Sequence, residues 1–376
     1  HLPFWAEAGD FYQLPPTLDT ILYNTEHRNA NSNFGAAVFK MFDDVIELDS
    51  VVRQDGSETE LLSLLEAMRT GAEPDAYDMA FVNSRHLSKL PPAERELFNL
   101  PGQRTLWCAP TKEEAWRTRN YPVLGMLNRG YTSSKGDVSA VPVYKVFAQN
   151  KGTHAKQSAG TEFGSLPPAG YLARRLQVRL TANLYGHLGQ KWGLVNGKIG
   201  HVIDIIFAKD APPSAANSKA MPPVVVVHFP DYIGPVWIEG HAKVVPIVPV
   251  ERPGDCRCRC TRIMIPLSVA EGATIHSLQG MTISQSCGED PPCQVCEDES
   301  HKGRCAIARL GINFGEKKLE SNAGFRGAAL VAQSRPKSKR DFAYTSPVGL
   351  DRLAVCGKGD AYVKLRAAMA AFRRRA

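Results

Sequence analysis

The sequence predicts an α/β protein in which a small β-barrel interrupts a parallel sheet flanked by helices. Between residues 45 and 127, apolar runs of strand length alternate with amphipathic helical patterns, which is typical of a parallel α/β sheet. Between residues 176 and 250, several short strands with an Asn196-Gly197 turn favour a small barrel. A strand pattern returns after residue 250, so we interpret the barrel as an insertion into the second α/β domain.

The first 48 residues predict a strand end followed by a helix. Gly9 permits a tight turn, and the paired prolines that follow force an extended exit from it. This segment is therefore expected to deliver the side chains of Asp10 and Gln13 to a site. A helix is predicted from about Asn33 to Phe42.

Residues 45–127 predict two strand-helix units. An apolar strand ending at Val52 is followed by Arg53 in a turn and then by an amphipathic helix over Glu60–Arg69, which a glycine ends. Arg53 is thus expected to stand on a fixed platform. Thr105–Pro110 predicts a buried strand, and Glu113–Leu127 predicts a helix despite its internal proline.

The predicted barrel is followed by a polar loop. Barrel strands are predicted over Leu176–Leu184, His201–Phe207 and Val224–Phe229. After the barrel, the apolar run Ile263–Val269 leads into the loop Ala273–Thr282, which combines hydroxyl, imidazole and carboxamide side chains with a glycine. Such loops commonly hold a ligand. An ordinary strand-to-turn junction is the alternative interpretation.

Charge is distributed unevenly along the chain, whose formal net charge is +7. Residues 1–100 contain seven Lys and Arg against 17 Asp and Glu, whereas residues 301–376 contain 17 against five. A basic C-terminal end indicates a polyanionic partner such as nucleic acid. A solvated terminal helix is the alternative. No apolar run approaches the about 18 residues of a membrane span, so no membrane partner is expected.

Seven of the nine cysteines lie between residues 256 and 305. The chain is too long for a secreted disulfide scaffold, which favours a reducing, intracellular compartment. One Cys-x-x-Cys pair with two flanking cysteines could enclose tetrahedral Zn²⁺. Free thiols on a variable loop are the alternative. The candidate zinc ligands are Cys287, Cys293, Cys296 and Cys305.

Three separated segments share one form, a strand end that carries polar or cationic groups. They are the segment of Asp10 and Gln13, the turn of Arg53, and the loop Thr274–Gly280 together with Arg335. Two arginines at strand ends suit charge stabilisation of a transferring phosphoryl group. Taken singly, each arginine is better explained by a surface ion pair.

In this order the segments resemble the PIF family of ATP-dependent DNA helicases, RecD-like superfamily-one enzymes that move 5′ to 3′ on single-stranded DNA. The resemblance covers nearly the whole chain. It implies a RecA-like P-loop NTPase helicase fold, mostly the second RecA-like domain, with the small SH3-like barrel that the family inserts there. The matching segments are Gly9–Pro16 (motif III), Val52–Gln54 with its downstream helix (motif IV), Gly193–Gly197, Ala273–Thr282 (motif V) and Val331–Arg335 (motif VI).

The resemblance also implies residue roles. Gln13 would sense the γ-phosphate, and Arg53 and Arg335 would be arginine fingers. The implied cofactors are ATP and Mg²⁺, and the implied partners of a monomeric enzyme are single-stranded DNA and duplex junctions in repair, recombination or telomere maintenance. The implied nucleotide-binding residues are Asp10, Gln13, Arg53, Gln279, Gly280 and Arg335. The implied DNA-binding residues are Thr274, His276 and Ser277.

Several family features are absent from the sequence. No G-x-x-x-x-G-K-[ST] occurs, and no Asp-Glu strand precedes motif III, so the phosphate-cradling loop and the acidic Mg²⁺ ligand are missing. Ser277 stands where the family usually has lysine, and Gln333 where it usually has an aliphatic residue. With His1 in place of an initiator Met, the chain is expected to be the C-terminal portion of a helicase.

Two alternatives stay open at this point. One is a non-catalytic, single-stranded-DNA-binding remnant of a helicase, including one derived from a transposon. The other is a zinc-stabilised interaction module without a DNA role, which leaves the five ordered motifs unexplained. In a eukaryote, the nucleus or the mitochondrion is the expected location.

The motifs also predict domain boundaries. Residues 1–45 are expected to be a remnant of the first RecA-like domain, and the Gly-, Ser-, Lys- and Pro-rich stretch near 130–170 a flexible insertion. The remaining predicted units are the first part of the second RecA-like domain (46–175), the SH3-like barrel (176–250), and the rest of that domain (251–376) with a Cys-rich insertion (284–306) and a basic C-terminal helix.

Overall fold

The protein is described by a computed structural model of the 376-residue chain. The structure describes residues 13–14, 30–42, 51–70, 72–152, 155–209, 221–255, 259–283, 307–315, 327–353, 363, 364, 367 and 370. Asp10 and most of the predicted C-terminal helix lie outside these residues. The candidate zinc ligands Cys287, Cys293, Cys296 and Cys305 lie outside them as well.

Helices and short strands alternate along the described part of the chain. The helices are α1 Ala30–Phe39, α2 Thr59–Thr70, α3 Ala76–Ser84, α4 Pro92–Asn99, α5 Lys112–Ala115, α6 Tyr121–Arg129, α7 Gly186–Lys191, α8 Ala328–Gln333 and α9 Leu350–Leu353. The strands of the first half are β1 Thr105–Ala109, β2 Tyr131–Ser133, β3 Gly136–Val138, β4 Tyr144–Phe147, β5 Gln149–Lys151, β6 Ala169–Leu172 and β7 Gln177–Leu180. The later strands are β8 Ile199–Ile206, β9 Val224–His228, β10 Val244–Ile247, β11 Val250–Pro253, β12 Thr261–Met264, β13 Leu267–Val269, β14 Gly272–Thr274, β15 Arg309–Ile312 and β16 Phe342–Tyr344.

A four-stranded parallel sheet forms the first layer, with strand order β14-β1-β15-β16. The predicted strand at Thr105–Pro110 is thereby confirmed as β1. Helix α2 was predicted from its apolar spacing, and it packs Leu61, Leu64 and Met68 fully buried into the core of this sheet. Leu14 joins the same core. Because the strands are parallel, their carboxyl ends share one edge of the sheet.

A five-stranded antiparallel sheet forms the second unit, with order β10-β9-β8-β7-β13. A three-stranded sheet of β11, β12 and β5 and the pair β4-β6 lie beside it. β13 and β5 come from outside residues 176–250, so this unit recruits strands from both sides of the predicted barrel. The stretch near 130–170, predicted to be a flexible insertion, contributes the short strands β2 to β6.

The apolar run Ile263–Val269 was predicted to be one strand that runs, after a break at Glu271-Gly272, into the polar loop, and the single strand is wrong. Its two halves, β12 and β13, lie in different antiparallel sheets. The loop instead follows β14, which begins at Gly272 and pairs with β1 in the parallel sheet. The chain therefore crosses from one unit to the other within Ala270 and Glu271, which local hydrophobicity does not reveal.

The helical prediction over Glu113–Leu127 is confirmed with one irregularity. A π-helical segment, Trp116–Asn120, joins α5 to α6. Pro122 follows at the start of α6. Proline has no N–H to donate and its ring collides with the carbonyl four residues earlier, so a locally wider helix accommodates it.

Candidate functional site

Arg53 and Gln54 meet the segment that follows α8, although about 280 residues separate them in sequence. Arg53 Nη1 donates to the Ser334 carbonyl at 3.0 Å. Gln54 is buried, and its Nε2 donates to the carbonyls of Ser334 at 3.1 Å and Pro336 at 2.8 Å. The structure thus joins the segment that resembles motif IV to the one that resembles motif VI. The preceding Val51 and Val52 form no strand and are exposed.

Arg335 lies inside the protein, with 2% of its surface exposed. Its Nε donates to the Val331 carbonyl at 3.0 Å, and its Nη2 donates to Ser334 Oγ at 2.8 Å. In this conformation the guanidinium holds the end of α8. Arg53, which is half-buried, is the member of the predicted arginine pair that borders open space.

That open space is a cleft of about 670 Å³ beside Arg53. Its lining includes the cations Arg53, Lys337 and Arg340 and the carboxylates of Asp55, Glu58 and Asp341. Ser338 Oγ donates to a Glu58 carboxylate oxygen at 2.7 Å. The lining of the cleft thus contains three positive groups and three acidic ones, so its formal charges balance, and the cations lie on a rim formed by the segments of Arg53 and Arg335.

The polar loop leaves the parallel sheet at the end of β14 and continues as a 3₁₀ turn, Ile275–Leu278. Ile275 and Leu278 are buried and anchor the turn under α8. Ser277 Oγ donates to the Thr274 carbonyl at 2.6 Å, so this hydroxyl stabilises the turn. Gly280 has a φ of +81°, a conformation that favours glycine.

The predicted ligand-binding side chains of this loop differ in exposure. Thr274, His276 and Ser277 are half-buried, whereas Gln279 and Gly280 are exposed. Ile283, the residue that follows the loop, donates its N–H to the Arg335 carbonyl at 3.0 Å. The loop that resembles motif V is therefore tied at its exit to the segment that resembles motif VI. Gln13 is half-buried beside Leu14, and Asp10 lies outside the described residues.

A buried cluster at the start of β14 was not predicted from the sequence. Glu271 and Arg119 approach at 3.5 Å with side chains 3% and 4% exposed. Glu271 also accepts from the Gln177 N–H at 3.2 Å, and Asn120 exchanges two hydrogen bonds with the backbone of Gly272. Burial raises the pKa of Glu271, and Arg119 offsets this only in part. The partners are 152 residues apart, so no local pattern could reveal them.

Gln333, which departs from the family pattern, is fully buried. Its Oε1 accepts a hydrogen bond from the hydroxyl of Tyr344 on β16. Its Nε2 is buried and has no hydrogen-bond partner among the residues that the structure describes. Burial raises the pKa of Tyr344, which keeps this hydroxyl protonated as a donor. The carboxamide is therefore accommodated in the core by a single polar neighbour.

The implied Zn²⁺ and Mg²⁺ would each require several ligating side chains close together. Within the described ranges, no group of three or more His, Cys, Asp or Glu side chains is placed to hold a metal ion. The sequence contains no phosphate-cradling loop. The cleft beside Arg53 thus supplies cations for a polyphosphate but no Mg²⁺ site, and no step through Mg²⁺ follows from this part of the chain.

The parallel sheet, its flanking helices and the inserted antiparallel unit define a RecA-like helicase fold. The structure is similar to that of the Pif1 helicase from Candida albicans, with a TM-score of 0.62 and 20% identity over 96% of this chain and 67% of that one. The predicted PIF-type fold is thereby confirmed.

Two bacterial structures are also similar. Bacteroides Pif1 bound to ssDNA has a TM-score of 0.57 and 13% identity over 96% of this chain and 65% of that one. Bacteroides Pif1 in complex with ADP-AlF3 and ssDNA has a TM-score of 0.57 and 15% identity, with coverages of 96% and 66%. The chain thus spans about two thirds of the length of these helicases.

Comparisons of sequence alone add no relative. No protein-family model matches the chain, and no curated protein matches it. Among the residues described by the structure, no helix is both long and apolar enough to cross a membrane.

Proposed function

We propose that the chain is the C-terminal portion of an ATP-dependent 5′-to-3′ DNA helicase of the PIF type. One observation carries this proposal, the hydrogen-bonded junction at Ser334 and Arg335. Arg53 and Gln54 hold this segment from the side of the open cleft, and Ile283 holds it from the side of the polar loop. A nucleotide in the cleft and a strand at the loop would therefore act on the same short piece of backbone.

This junction supports a coupling role. A polyphosphate that attracts the Arg53 guanidinium draws it from the Ser334 carbonyl, because a charged acceptor is stronger than a neutral one. The backbone after α8 then loses a constraint, and the loop bonded to it can change its hold on DNA. Alternation between two such grips is the basis of stepping. Arg335 would have to leave its buried position to act as an arginine finger.

Other parts of the chain would also have roles in this helicase. The antiparallel unit would be the SH3-like barrel inserted into the second RecA-like domain. Gln13 and Asp10 would contact the nucleotide from the first RecA-like domain, with Gln279 and Gly280 opposite. Thr274, His276 and Ser277 would contact the strand. ATP and Mg²⁺ would bind in the complete enzyme, which would be a monomer. Zn²⁺ would bind the cysteines of residues 284–306. In a eukaryote, the enzyme would act in the nucleus or the mitochondrion.

The DNA-binding part is tested with the purified chain and a fluorescent single-stranded oligonucleotide. We expect binding that weakens steeply between about 50 mM and about 200 mM salt, because bound phosphates release counterions. Thr274→Ala combined with His276→Ala should weaken binding, whereas Arg53→Ala should leave nucleotide-free binding unchanged. Absence of binding at the lower salt concentration, or binding independent of salt, would refute the proposal.

A second candidate is a non-catalytic helicase remnant that binds single-stranded DNA. Residues 301–376 contain 17 Lys and Arg against five Asp and Glu, a balance that favours binding to a polyanion without requiring ATP hydrolysis. The reading frame upstream of His1 in the gene distinguishes the two candidates. A longer reading frame that encodes G-x-x-x-x-G-K-[ST] and an Asp-Glu strand upstream of His1 supports the active enzyme. A frame without them, together with DNA binding and no ATP hydrolysis, leaves the remnant.

A further inference from the structure

The crossing from the antiparallel unit to the parallel sheet is only two residues long. β13 ends at Val269 and β14 begins at Gly272, so Ala270 and Glu271 alone connect these strands. The polar loop Ala273–Thr282 follows immediately. Each residue has just two soft backbone dihedral angles. The contacts of these two residues therefore have a direct effect on how the loop is oriented relative to the antiparallel unit.

The Glu271 side chain is bonded to both units. Its Oε1 accepts a hydrogen bond from the N–H of Gln177 on β7, in the antiparallel unit, at 3.2 Å. Its Oε2 accepts from Nη2 of Arg119 at 3.5 Å, in the π-helical segment that packs against β14. Both side chains of this ion pair are buried. A single carboxylate therefore links the antiparallel unit to the flank of the parallel sheet.

Backbone contacts divide the crossing between the two units. The Ala270 N–H donates to the Gln177 carbonyl at 2.9 Å, and Gln177 Nε2 donates to the Ala270 carbonyl at 2.6 Å. The Glu271 carbonyl accepts from the N–H of Trp107 on β1 at 2.9 Å. The chain thus leaves the antiparallel unit at Ala270 and joins the parallel sheet at Glu271.

The π-helical segment Trp116–Asn120 also holds Gly272, the first residue after the crossing. Asn120 Nδ2 donates to the Gly272 carbonyl at 3.1 Å, and Asn120 Oδ1 accepts from the Gly272 N–H at 2.7 Å. A Cβ atom on Gly272 would lie 2.9 Å from the Ala115 carbonyl oxygen, so glycine permits this close approach. π-helical segments within helices occur frequently at functional sites. Here two consecutive residues, Arg119 and Asn120, both bond to the chain at the crossing.

Net stability is a poor explanation for this buried ion pair. The attraction between two buried charges is largely offset by removing both from water, and apolar residues of similar volume are often equally stabilising. What the charged pair adds is direction, because a carboxylate and a guanidinium bond in a particular geometry. Arg119 is also fixed on its own side, where Nη1 donates to the Asn99 carbonyl at 2.6 Å. The pair is therefore suited to holding the two units at one angle.

We infer that Glu271 and Arg119 are positioning residues, which hold the polar loop and the antiparallel unit in one preset orientation before nucleic acid binds. The inference rests on the proposed function, because it assigns this orientation to the binding of a strand. A ligand that contacts two loosely joined units has to order them on binding, and the lost freedom weakens affinity. The ion pair removes this loss in advance, although both of its members are buried and do not contact the strand.

Hydrogen–deuterium exchange of the full chain, followed by mass spectrometry, tests the orientation without nucleic acid. In Arg119→Met, we expect exchange at Gln177, Ala270 and Gly272 to accelerate more than exchange in β9, because the crossing would open locally. β9 pairs with β8 and β10 inside the antiparallel unit and is the internal reference. An equal acceleration of both sets would mean a general loss of stability and would overturn the proposal.

Leu90→Ala is the matched control for stability. Leu90 is 3% exposed and packs with Phe98 and Ala343 in a small cluster of their own. Its truncation destabilises the protein through lost apolar contacts, without touching the crossing. Affinity for a fluorescent oligothymidylate is measured by anisotropy at a temperature at which all variants are folded.

The two variants should differ in affinity. We expect Arg119→Met to weaken binding by about threefold to about thirtyfold, the range of coupling that residues without ligand contact exert, and Leu90→Ala to keep the wild-type affinity. Equal weakening in the two variants would show that affinity follows stability, and would overturn the proposal.

Two further variants separate orientation from stability. Arg119→Met combined with Glu271→Gln removes both charges, and the new carboxamide still accepts from the Gln177 N–H. We expect this double variant to recover part of the stability but not the affinity, and it carries the comparison if Arg119→Met alone does not fold. Arg119→Lys keeps a positive partner for Glu271 and should bind more tightly than Arg119→Met. Wild-type affinity in the double variant would overturn the proposal.

Failure of the proposed function would look different. A wild-type chain that binds no oligonucleotide would refute the proposed function, and the link between the ion pair and strand binding would fall with it. The exchange measurement would then still decide whether the ion pair orients the two units.

Discussion

Replacement of Arg119 by methionine would remove the positive partner of a buried ion pair that holds the start of β14. The Arg119 side chain is 4% exposed and lies 3.5 Å from Glu271. Loss of one partner from a buried pair costs about 3–5 kcal/mol. Arg119 Nη1 also donates to the Asn99 carbonyl at 2.6 Å, and the guanidinium lies 4.9 Å from the Trp107 ring. Because these contacts are lost too, we expect the substitution to lower the free energy of unfolding by about 4 kcal/mol.

The loss of stability in this variant should depend on pH, because the variant leaves the Glu271 carboxyl without its positive partner. Burial raises the pKa of Glu271 in the folded protein, and without Arg119 the pKa rises further. The folded state then binds this proton more tightly than the unfolded state does. Protonation of Glu271 therefore stabilises the folded state of R119M. This stabilisation is fully present below the ordinary glutamate pKa and is lost as the pH rises through the raised pKa of Glu271. R119M should thus be least destabilising in mild acid.

The assay is urea denaturation followed by tryptophan fluorescence between about pH 5 and about pH 8, since this range covers a raised carboxyl pKa. Arg117→Met, on the exposed side of the same segment, is the control and should change the free energy of unfolding by less than about 0.5 kcal/mol. Addition of Glu271→Gln to R119M should restore part of the stability and abolish the pH dependence. A loss below about 1 kcal/mol for R119M, or no rescue, would refute this account of the pair.

Three further predictions concern buried groups. Gln54→Ala should lower the free energy of unfolding by about 2 kcal/mol in urea denaturation, because the Pro336 carbonyl loses the Gln54 donor and the Ser334 carbonyl keeps only the Arg53 donor. Gln333→Leu alone should cost about 1–2 kcal/mol by leaving the Tyr344 hydroxyl unpaired, whereas Gln333→Leu with Tyr344→Phe should lie within about 1 kcal/mol of wild type. Burial raises the pKa of Cys108 to about 12, so mass spectrometry should find it unmodified by iodoacetamide in the folded protein and modified in urea.

Local patterns predicted the elements whose burial follows from spacing along the chain. The apolar spacing of Leu61, Leu64 and Met68 predicted α2, because a helix places these residues on one face. The apolar run at Thr105 predicted β1, which is buried on both faces of the parallel sheet. The order of the motifs along the chain also predicted the RecA-like helicase fold, through the resemblance to the PIF family.

Long-range placement was beyond these patterns. The sequence placed Arg53 and Arg335 at strand ends, which is wrong because no strand precedes Arg53 and Arg335 follows helix α8. The sequence did not show that Arg335 is turned inward onto Val331. Nor did it show that Glu271 pairs with Arg119, since neither residue differs locally from an exposed one. Such contacts depend on the path of the chain through both units. Whether a contact stabilises or destabilises the folded protein depends on how deeply its polar groups are buried.

The sequence by itself determined the order of the motifs, the amphipathic helices and the charge asymmetry, because these are properties of near neighbours. Only the tertiary structure decided that the polar loop belongs to β14 of the parallel sheet and that its end is hydrogen-bonded to Arg335. It also decided that Arg119 of the π-helical segment meets Glu271 inside the protein. Folding creates these relations because it brings distant residues together and removes their polar groups from water.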